Sequence, residues 1–419
     1  MHSSQLLILG NGFDLHCGLK SAYKDFFQST ILDTIGGRFG LQQMKAGVSG
    51  FWETLLFVYY KNSGKTDYNW CDIETIIRDT VLTIGSTGFK FNALGSVRQG
   101  KDPKYAVTIP NDPITEFLYQ KCISIYYSFY YSYFQNQTYS DNKLHFLLIN
   151  HILQELHDFE RKFCKYIKDN IVNPDDETMF NEKYIINAMN LLKTLTGFTD
   201  IQYETIDDII EQQEQEYWEQ LSSNTSQLAR KGINVLSKEF TYLHSVNILS
   251  FNYTSLFDIL GVQSPCLYNN VHGKLCMNKC AENCVSCNII FGIDDTIIQS
   301  QKENFELHKF SKTYRKMLNA SVETSILPKK DNQMIEIKFY GHSLSEADYS
   351  YFQSIFDYYN LYENNKVSLI FYYSKGFEQT DEVYRLINTY GKTLSNKDQG
   401  KNLTHKLLLE NRLKIIEIP

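Results

Sequence analysis

Short, uniformly apolar runs recur from residue 245 onwards, and they limit the fold more than any other feature of the chain. The runs are Val246–Ser250, Leu267–Val271, Asn288–Phe291, Met334–Tyr340, Val367–Tyr373 and Leu413–Ile418. Each is rich in β-branched or aromatic residues, and helical or loop segments separate them. A parallel sheet that is covered on both faces requires strands of this kind. We expect one more strand, Gln5–Leu9, to join the same sheet from the far N-terminus.

The sequence between about residues 40 and 245 has a different pattern. The stretch FLLINHILQELHDFERKFCKYIKD has the apolar spacing of an amphipathic helix, as does the later TIDDIIEQQEQEYWEQLSSNTSQLARKGINVLSKEF. A helix is also expected to begin near Ser21, and a loop or small hairpin is expected over residues 86–113. We therefore predict an α/β core formed by residues 1–40 and 245–419, with a large helical insertion at residues 41–244. The length of 419 residues also allows two closely packed domains.

Composition and charge indicate a soluble protein without a membrane segment. Hydrophobic residues make up 43% and charged residues 21% of the chain, which is a globular balance. The N-terminus lacks the basic start and cleavage site of a secretory signal, and no apolar run approaches the roughly 18 residues that span a bilayer. The net charge of −7 disfavours a general nucleic-acid binder. We expect a cytoplasmic protein that binds a small-molecule nucleotide, and the sequence leaves a homo-oligomer open.

Polar motifs follow four of the predicted strands. They are Gly10-Asn11-Gly12-Phe13-Asp14, Ser250-Phe251-Asn252-Tyr253-Thr254, Val271-His272-Gly273 and Gly341-His342-Ser343-Leu344-Ser345-Glu346-Ala347-Asp348. The carboxyl ends of parallel strands lie along one edge of a sheet, and ligands bind in the crevice outside that edge. The sequence therefore predicts that the four motifs converge.

The residue types in these motifs suit a ligand that carries phosphate and ribose. Glycines at 10 and 12 would let the backbone approach such a ligand and expose N–H groups to an anion. Asn252 and His272 would share a water or a ribose hydroxyl. Each residue also has a structural interpretation: a tight turn at the glycines, a helix cap for Asn252 or Ser343, and a buried core histidine for His272. Four such coincidences at four strand ends favour a binding site.

The motifs resemble those of sirtuins, which carry a GAG-x-S turn after strand one, a TQNID segment, a catalytic His-Gly and a later GTS-L turn. The N-terminal sequence is more similar to the AbiH signature NGFDLxxGLxTxYxDF, which matches Asn11 to Phe26. The stretch WCDIE and the segment GHSLSEADYSYFQSIF also look like that family. The chain is identified as a member of the AbiH family of anti-phage abortive-infection proteins, which resembles a diverged branch of the sirtuin superfamily.

The resemblance implies a Rossmann-like, sirtuin-like sheet that uses NAD as a substrate. Asn252 would hold the attacking water or the nicotinamide ribose, and His272 would be the general base. The nucleotide-binding residues would be Gly10, Asn11, Gly12, Asp14, Gly341, His342 and Ser343. The reaction would cleave the nicotinamide glycosidic bond through an oxocarbenium-like state, and loss of NAD would give abortive infection.

Two residues depart from the sirtuin pattern. Thr254 stands where sirtuins have the acid that follows the asparagine, and Asp14 stands where they have a small or hydroxyl residue. A carboxylate at position 14 adds negative charge near the expected phosphates. Asp14 therefore also suits a ribose hydroxyl, a metal ion or a different substrate.

Four cysteines form the one dense cluster of thiols in the sequence. The spacing is Cys276-x3-Cys280-x3-Cys284-x2-Cys287, directly after His272-Gly273. Four thiolates complete a tetrahedral structural zinc site, and free or redox-active thiols are the alternative. A catalytic zinc is disfavoured because four sulfur ligands leave no open position.

Two further functions compete with NAD hydrolysis. The first is a metal-dependent nuclease or nucleotide-processing enzyme that uses Asp14, Glu74 and Asp348. Glu74 lies two residues after Asp72, at the start of a predicted helix, where both acids also suit the helix dipole. The second is a sensor that binds a nucleotide or a phage protein without chemistry. The sequence does not identify the phage trigger.

Overall fold

A computed structural model describes most of the chain. The described residues are 4–36, 50–64, 70–86, 113–133, 141–173, 176–180, 182–197, 243, 245–260, 264–275, 288–294, 305–318, 325–330 and 333–419. They form two compact units. The sheet unit comprises Met1–Ser21, Ile167–Ile289 and Ala320–Pro419, and the helical unit comprises Ala22–Tyr166 and Ile290–Asn319. Each unit is described by itself below.

The strands all belong to the sheet unit. They are β1 (Ser4–Leu9), β2 (Val172–Asn173), β3 (Asp176–Phe180), β4 (Val246–Ser250), β5 (Tyr268–Asn270), β6 (Ile335–Tyr340), β7 (Val367–Ser374) and β8 (Leu413–Ile418). Six of them form one sheet in the order β5-β4-β1-β6-β7-β8, and every neighbouring pair in it is parallel. β2 and β3 form a separate antiparallel pair. The predicted parallel sheet, with its first strand taken from the N-terminus, is confirmed.

Helices make up most of the remaining described structure. They are α1 (Gly12–His16), α2 (Tyr23–Phe26), α3 (Phe51–Ser63), α4 (Trp70–Gly85), α5 (Pro113–Tyr133), α6 (Asp141–Ile171), α7 (Glu182–Thr196), α8 (Leu256–Leu260), α9 (Lys312–Leu318), α10 (Tyr349–Tyr359), α11 (Thr380–Thr393) and α12 (Lys397–Leu409). Phe27–Gly36 is a π-helix, and Phe305–Phe310 and Glu346–Asp348 are 3₁₀ turns. None of the helices in the described ranges is long and apolar enough to cross a membrane.

The central strands are buried on both faces, which explains their uniformly apolar sequences. Leu6, Leu7 and Ile8 of β1 have no exposed surface. Helix α10 packs its Phe352 and Phe356 into the same core, on the apolar stripe that helical spacing produces. Burial of apolar area therefore holds the sheet between helices.

The strand register places several carboxyl ends level with one another. Leu9 at the end of β1 pairs with Ser250 of β4 on one side and with Tyr340 of β6 on the other. The chain visits β4 and β5 on one side of β1 before it crosses to β6, β7 and β8. The strand order therefore reverses between β1 and β6, and the segments that follow these strands meet at that point.

The helical unit has an aromatic core of its own. The ring of Phe26 packs edge-on against Phe163, with 5.1 Å between ring centroids, and lies 5.6 Å from that of Phe159. Phe291 contacts both Phe159 and Phe163. These phenylalanines hold the segment around residue 291 against α6.

Three sequence-based expectations need correction or fall outside the described residues. The helix expected from Ser21 begins at Tyr23 and continues as the π-helix. Asn288–Phe291 is not a strand, because the backbone of Asn288 bonds to Lys274 and that of Phe291 bonds to a glutamate side chain. Most of residues 86–113 lies outside the described ranges.

Candidate functional site

The four polar motifs lie at the carboxyl ends of four neighbouring strands of the sheet unit. Along the edge of the sheet, the motifs follow β5, β4, β1 and β6 in that order. The parallel register makes these four ends adjacent. All the site residues described in this unit therefore belong to one compact body.

The glycine turn after β1 packs directly against the turn after β6. A Cβ atom on Gly12 would lie 2.6 Å from Cα of Gly341, and one on Gly341 would lie 2.5 Å from the nitrogen of Phe13. Gly341 also has a positive φ of 69°. Only glycine allows this close approach of two backbones.

The amides of this turn have partners within the protein. Gly10 N–H donates to Tyr340 O over 2.9 Å, and Gly12 N–H donates to Gly341 O over 2.8 Å. The sequence had suggested that these two amides face an anion. They instead join the two turns, so the glycines serve close packing in this conformation.

Asn11 closes the loop that follows the turn. Its Oδ1 accepts a hydrogen bond of 2.6 Å from Ser21 Oγ, and its Nδ2 donates to Ser21 O over 3.3 Å. The predicted contact of Asn11 with a nucleotide remains a prediction.

Asn252 is held firmly by its backbone. Its N–H donates to Ser250 Oγ over 3.2 Å, and its carbonyl accepts a 2.7 Å hydrogen bond from Nδ2 of Asn270. The residue is only 3% exposed, and its Oδ1 is buried with no hydrogen-bond partner among the described residues. A buried acceptor without a partner is expensive and rare in folded proteins.

A small pocket lies beside Asn252. Its lining residues are Leu9, Phe13, Asp14, Tyr184, Leu192, Ile248, Asn252, Thr254, Leu256, Phe257 and Tyr268. Helix α7 forms one wall through Tyr184 and Leu192, and helix α1 contributes Phe13 and Asp14. Asp14 and Asn252 are therefore the acidic and amide side chains that this pocket presents.

Asp14 is buried and accepts two hydrogen bonds. Thr254 Oγ1 donates to its Oδ2 over 2.5 Å, and Tyr184 OH donates to its Oδ1 over 3.0 Å. Burial raises the pKa of Asp14 to about 6, although both hydrogen bonds act to lower it. The two positions that depart from the sirtuin pattern, 14 and 254, are thus in direct contact.

His272 follows β5, and its ring faces Asp348, an acid of the motif after β6. Its Nε2 lies 2.9 Å from Oδ1 of Asp348, and Nε2 of His342 lies 3.3 Å from Oδ2 of the same carboxylate. The distance between His272 and Asp348 is short, but the two groups are not aligned for a hydrogen bond. All three residues are about 95% buried, with exposures of 5% or 6%.

Aromatic rings surround the two histidines. The ring of Phe251 meets His272 edge-on at 5.3 Å and His342 edge-on at 4.5 Å between centroids. Phe352 contacts His342 from another side at 5.0 Å. This packing restricts rotation of both imidazoles.

A comparison with known protein families identifies the family to which the chain belongs. The family model described as bacteriophage abortive infection AbiH matches residues 6–373, which is most of the sequence. The chain belongs to the AbiH family. No curated protein and no solved structure matches it significantly. Membership in the AbiH family assigns this protein to bacteriophage abortive infection.

The remaining candidate residues of this AbiH protein occupy varied positions. Ser343 is exposed, next to the buried His342. Ser345 precedes the short 3₁₀ turn without a capping hydrogen bond from its side chain. Asp348 likewise makes no cap for α10, because its carboxylate faces the histidines instead.

Glu74 belongs to the helical unit of the AbiH chain. Its Oε1 accepts a 2.5 Å contact from Nζ of the buried Lys312, and both residues lie within that unit. Asp72 is half-buried on the same helix. Glu74 is therefore engaged in an ion pair of the helical unit.

The predicted zinc ligands Cys276, Cys280, Cys284 and Cys287 lie outside the described residues. Within the described ranges, no group of three or more His, Cys, Asp or Glu side chains is arranged to hold a metal ion. Structural zinc in this AbiH protein remains a prediction.

A second polar cluster lies on the β6–β7 side of the sheet edge. Tyr340 OH lies 2.8 Å from Nδ1 of His16 and 2.6 Å from Oγ of Ser374, which ends β7. Burial lowers the pKa of His16 and raises that of Tyr340. The edge of the AbiH sheet thus carries polar side chains on both sides of the point where the strand order reverses.

Proposed function

We propose that this AbiH protein binds NAD at the carboxyl edge of its sheet and hydrolyses the nicotinamide glycosidic bond. The observation that carries the proposal is Oδ1 of Asn252, a buried acceptor without a partner among the described residues. It lies one strand away from His272, a candidate general base.

The strand order supports a dinucleotide as the ligand. Numbered along the chain, the six strands of the large sheet run 3-2-1-4-5-6 across it. This is the order of Rossmann folds, which bind dinucleotides across the crevice where the order reverses. A Rossmann-like, sirtuin-like core is therefore part of the proposal.

The side chains suit hydrolysis of an N-glycosidic bond. Oδ1 of Asn252 would accept a hydrogen bond from the attacking water or from a ribose hydroxyl, which would satisfy the buried acceptor. The bond between C1′ of the ribose and the nicotinamide nitrogen breaks, and nicotinamide leaves with the bonding electron pair. Charge develops on the ribose as an oxocarbenium-like state.

His272 would complete the reaction. The oxygen of water bonds to C1′, and His272 accepts the proton that the water loses. The products are nicotinamide, ADP-ribose and one proton, so atoms and charge balance. Removal of such a base typically slows a reaction about 10²–10⁴-fold.

NAD depletion connects this chemistry with the role of the family. A cell that loses its NAD stops growing before the phage completes replication, which is the outcome expected of abortive infection. The AbiH match supports that role, and the reaction is our proposal.

The test is to measure NAD, nicotinamide and ADP-ribose by mass spectrometry in phage-challenged cells that express the protein. We expect NAD to fall in wild type and to persist in Asn252→Ala and His272→Ala. Matched controls are Asn388→Ala, whose Oδ1 accepts from Thr404, and His405→Ala, which is exposed on α12. Protection with unchanged NAD would contradict hydrolysis and favour a binding-only sensor.

A further inference from the structure

We propose that Asp348 is a positioning residue that fixes the ring of His272, and that His342 in turn holds Asp348 in place. The inference deepens the proposed function and rests on it where catalysis is concerned. Its structural part concerns a His–Asp–His arrangement, which can be measured without any substrate.

The carboxylate of Asp348 is divided between two imidazoles. Oδ1 lies 2.9 Å from Nε2 of His272, and Oδ2 lies 3.3 Å from Nε2 of His342. Asp348 is 6% exposed, so water does not screen these contacts strongly. An acid buried between two histidines affects the proton positions on both rings.

The proton positions on His342 follow from its backbone contact. The N–H of Leu344 donates to Nδ1 of His342 over 2.9 Å, so Nδ1 must carry a lone pair. The proton of the neutral ring is then on Nε2, which faces Oδ2 of Asp348. The N–H of His342 therefore lies on the side of the ring that faces the carboxylate, at an ion-pair distance rather than in a hydrogen bond.

The same carboxylate sets the proton position on His272. Oδ1 lies 2.9 Å from Nε2, out of line for a hydrogen bond, and its negative charge favours the proton on that nitrogen, so Nδ1 is the nitrogen without a proton in the neutral ring. When that nitrogen accepts a proton, the ring becomes cationic beside a fixed negative charge. An aspartate does the same for the histidine of a catalytic triad.

The backbone around His272 supports this arrangement. Gly273 has a φ of 78°, and a Cβ atom there would collide with the carbonyl oxygen of Asn288. The N–H of Leu275 donates to Tyr253 O over 2.8 Å. The loop that carries His272 is thus held on both sides, so the ring has a defined position.

Titratable groups other than Asp348 also lie near His272. Among the described residues, the rings of Tyr253 and Tyr351 lie 6.4 Å and 6.2 Å from it, and His342 lies beyond Asp348. Asp348 is the one acid among these neighbours. Its carboxylate is the negative charge that Asp348→Asn removes from beside His272.

The test begins with the substrate-free, full-length protein labelled with ¹⁵N-histidine. The signals of His272 are assigned by comparison with His272→Gln. In wild type we expect the neutral ring to carry its proton on Nε2. A neutral ring protonated on Nδ1 would overturn the inference, whatever the variants do.

Asp348→Asn removes the charge with little change in size. We expect the pKa of His272 to fall by roughly 1–3 units, as on loss of an adjacent opposite charge. The pH dependence of NAD hydrolysis should move in the same direction, with a rate loss of about 10²–10⁴-fold. The control is Glu346→Gln, which alters an exposed acid in the same turn.

The two proposals fail separately. If His272 keeps its pKa and tautomer in Asp348→Asn, the positioning role is wrong even when NAD is hydrolysed. If the tautomer and the pKa shift appear but wild type neither hydrolyses nor depletes NAD, the coupling stands and the proposed function is wrong.

Discussion

The hydroxyl of Tyr184 on α7 donates to Oδ1 of Asp14 over 3.0 Å, which joins α7 to α1. Both residues line the pocket beside Asn252. Tyr184 is 2% exposed, so the contact is removed from water. Tyr184 belongs to none of the four polar motifs, yet its hydroxyl helps to orient the carboxylate of Asp14 in the candidate site.

Tyr184→Phe tests the strength of that contact. The variant keeps the ring but leaves one oxygen of a buried carboxylate without this donor, which costs roughly 1–3 kcal/mol when the acid is ionised. We expect that loss in the free energy of unfolding, measured with urea at pH 8. Tyr384→Phe is the control, because Tyr384 is 59% exposed. Equal stabilities of the two variants would contradict the prediction.

Asp14→Asn should change how stability depends on pH. Burial raises the pKa of Asp14 to about 6 from 3.8, so the folded state binds this proton more tightly than the unfolded state. The stability of wild type therefore falls as pH rises from about 4 to 6, by roughly 3 kcal/mol at 1.36 kcal/mol per pKa unit. The asparagine cannot ionise, and it can still accept from Tyr184.

The measurement is urea unfolding of wild type and Asp14→Asn at several values between pH 4 and pH 8. The difference between them should grow in favour of the variant up to about pH 6 and then level off. Asp258→Asn is the control, since Asp258 is only partly buried and contacts the exposed Lys274. Parallel curves for wild type and Asp14→Asn would show that Asp14 does not titrate in this range.

Much of the sheet could be predicted from sequence, because short, uniformly apolar runs are typical of parallel strands that are buried on both faces. β4 and β8 have the predicted bounds, and the motifs follow their strands as expected. Asn288–Phe291 is as apolar as the strands, but Phe291 bonds to the side chain of Glu160 instead of to a neighbouring strand, which the local sequence does not reveal.

The side-chain contacts of the site were less predictable. Asp348 has the sequence context of a helix cap. Only the fold brings it to His272, because Asp348 follows β6 and His272 follows β5, three places away in the sheet. The glycines of the first turn suggested an exposed anion site. Their amides in fact donate to the turn after β6, a contact between residues more than 300 positions apart.

Gly341→Ala should separate backbone strain from close packing. The alanine would adopt an unfavourable φ of 69°, and its Cβ would lie 2.5 Å from the nitrogen of Phe13. Strain alone costs about 1–3 kcal/mol. The control is Gly376→Ala, which has a φ of 82° with no atom within 4 Å of the added Cβ. We expect Gly341→Ala to be clearly less stable than Gly376→Ala in thermal unfolding, and a similar loss in both would mean that the two turns can separate.

Arg315→Met tests an ion pair inside the helical unit. The guanidinium contacts both oxygens of Glu160, at 2.6 Å and 2.7 Å, and donates to Phe291 O over 2.8 Å. Burial tends to raise the pKa of Glu160, but the charge of Arg315 and the hydrogen bonds of His157 and Arg315 outweigh it, so the pKa lies below its usual range. The pair therefore stabilises the unit above the ordinary glutamate pKa, and its contribution is lost as pH falls through the lowered value.

Without Arg315, the buried carboxylate of Glu160 keeps only the Phe291 N–H and His157 as partners, so Arg315→Met should cost up to roughly 3–5 kcal/mol near neutral pH. The loss should shrink towards pH 4, because protonation of Glu160 removes the charge that the guanidinium no longer balances. The control, Arg385→Met, breaks an exposed pair with Glu382 at 2.8 Å and should cost no more than about 1 kcal/mol. Urea unfolding at pH 7 and pH 4.5 measures both variants. If Arg315→Met lost the same stability at both pH values, lost packing of the arginine side chain, rather than a carboxylate without its guanidinium, would be the cause.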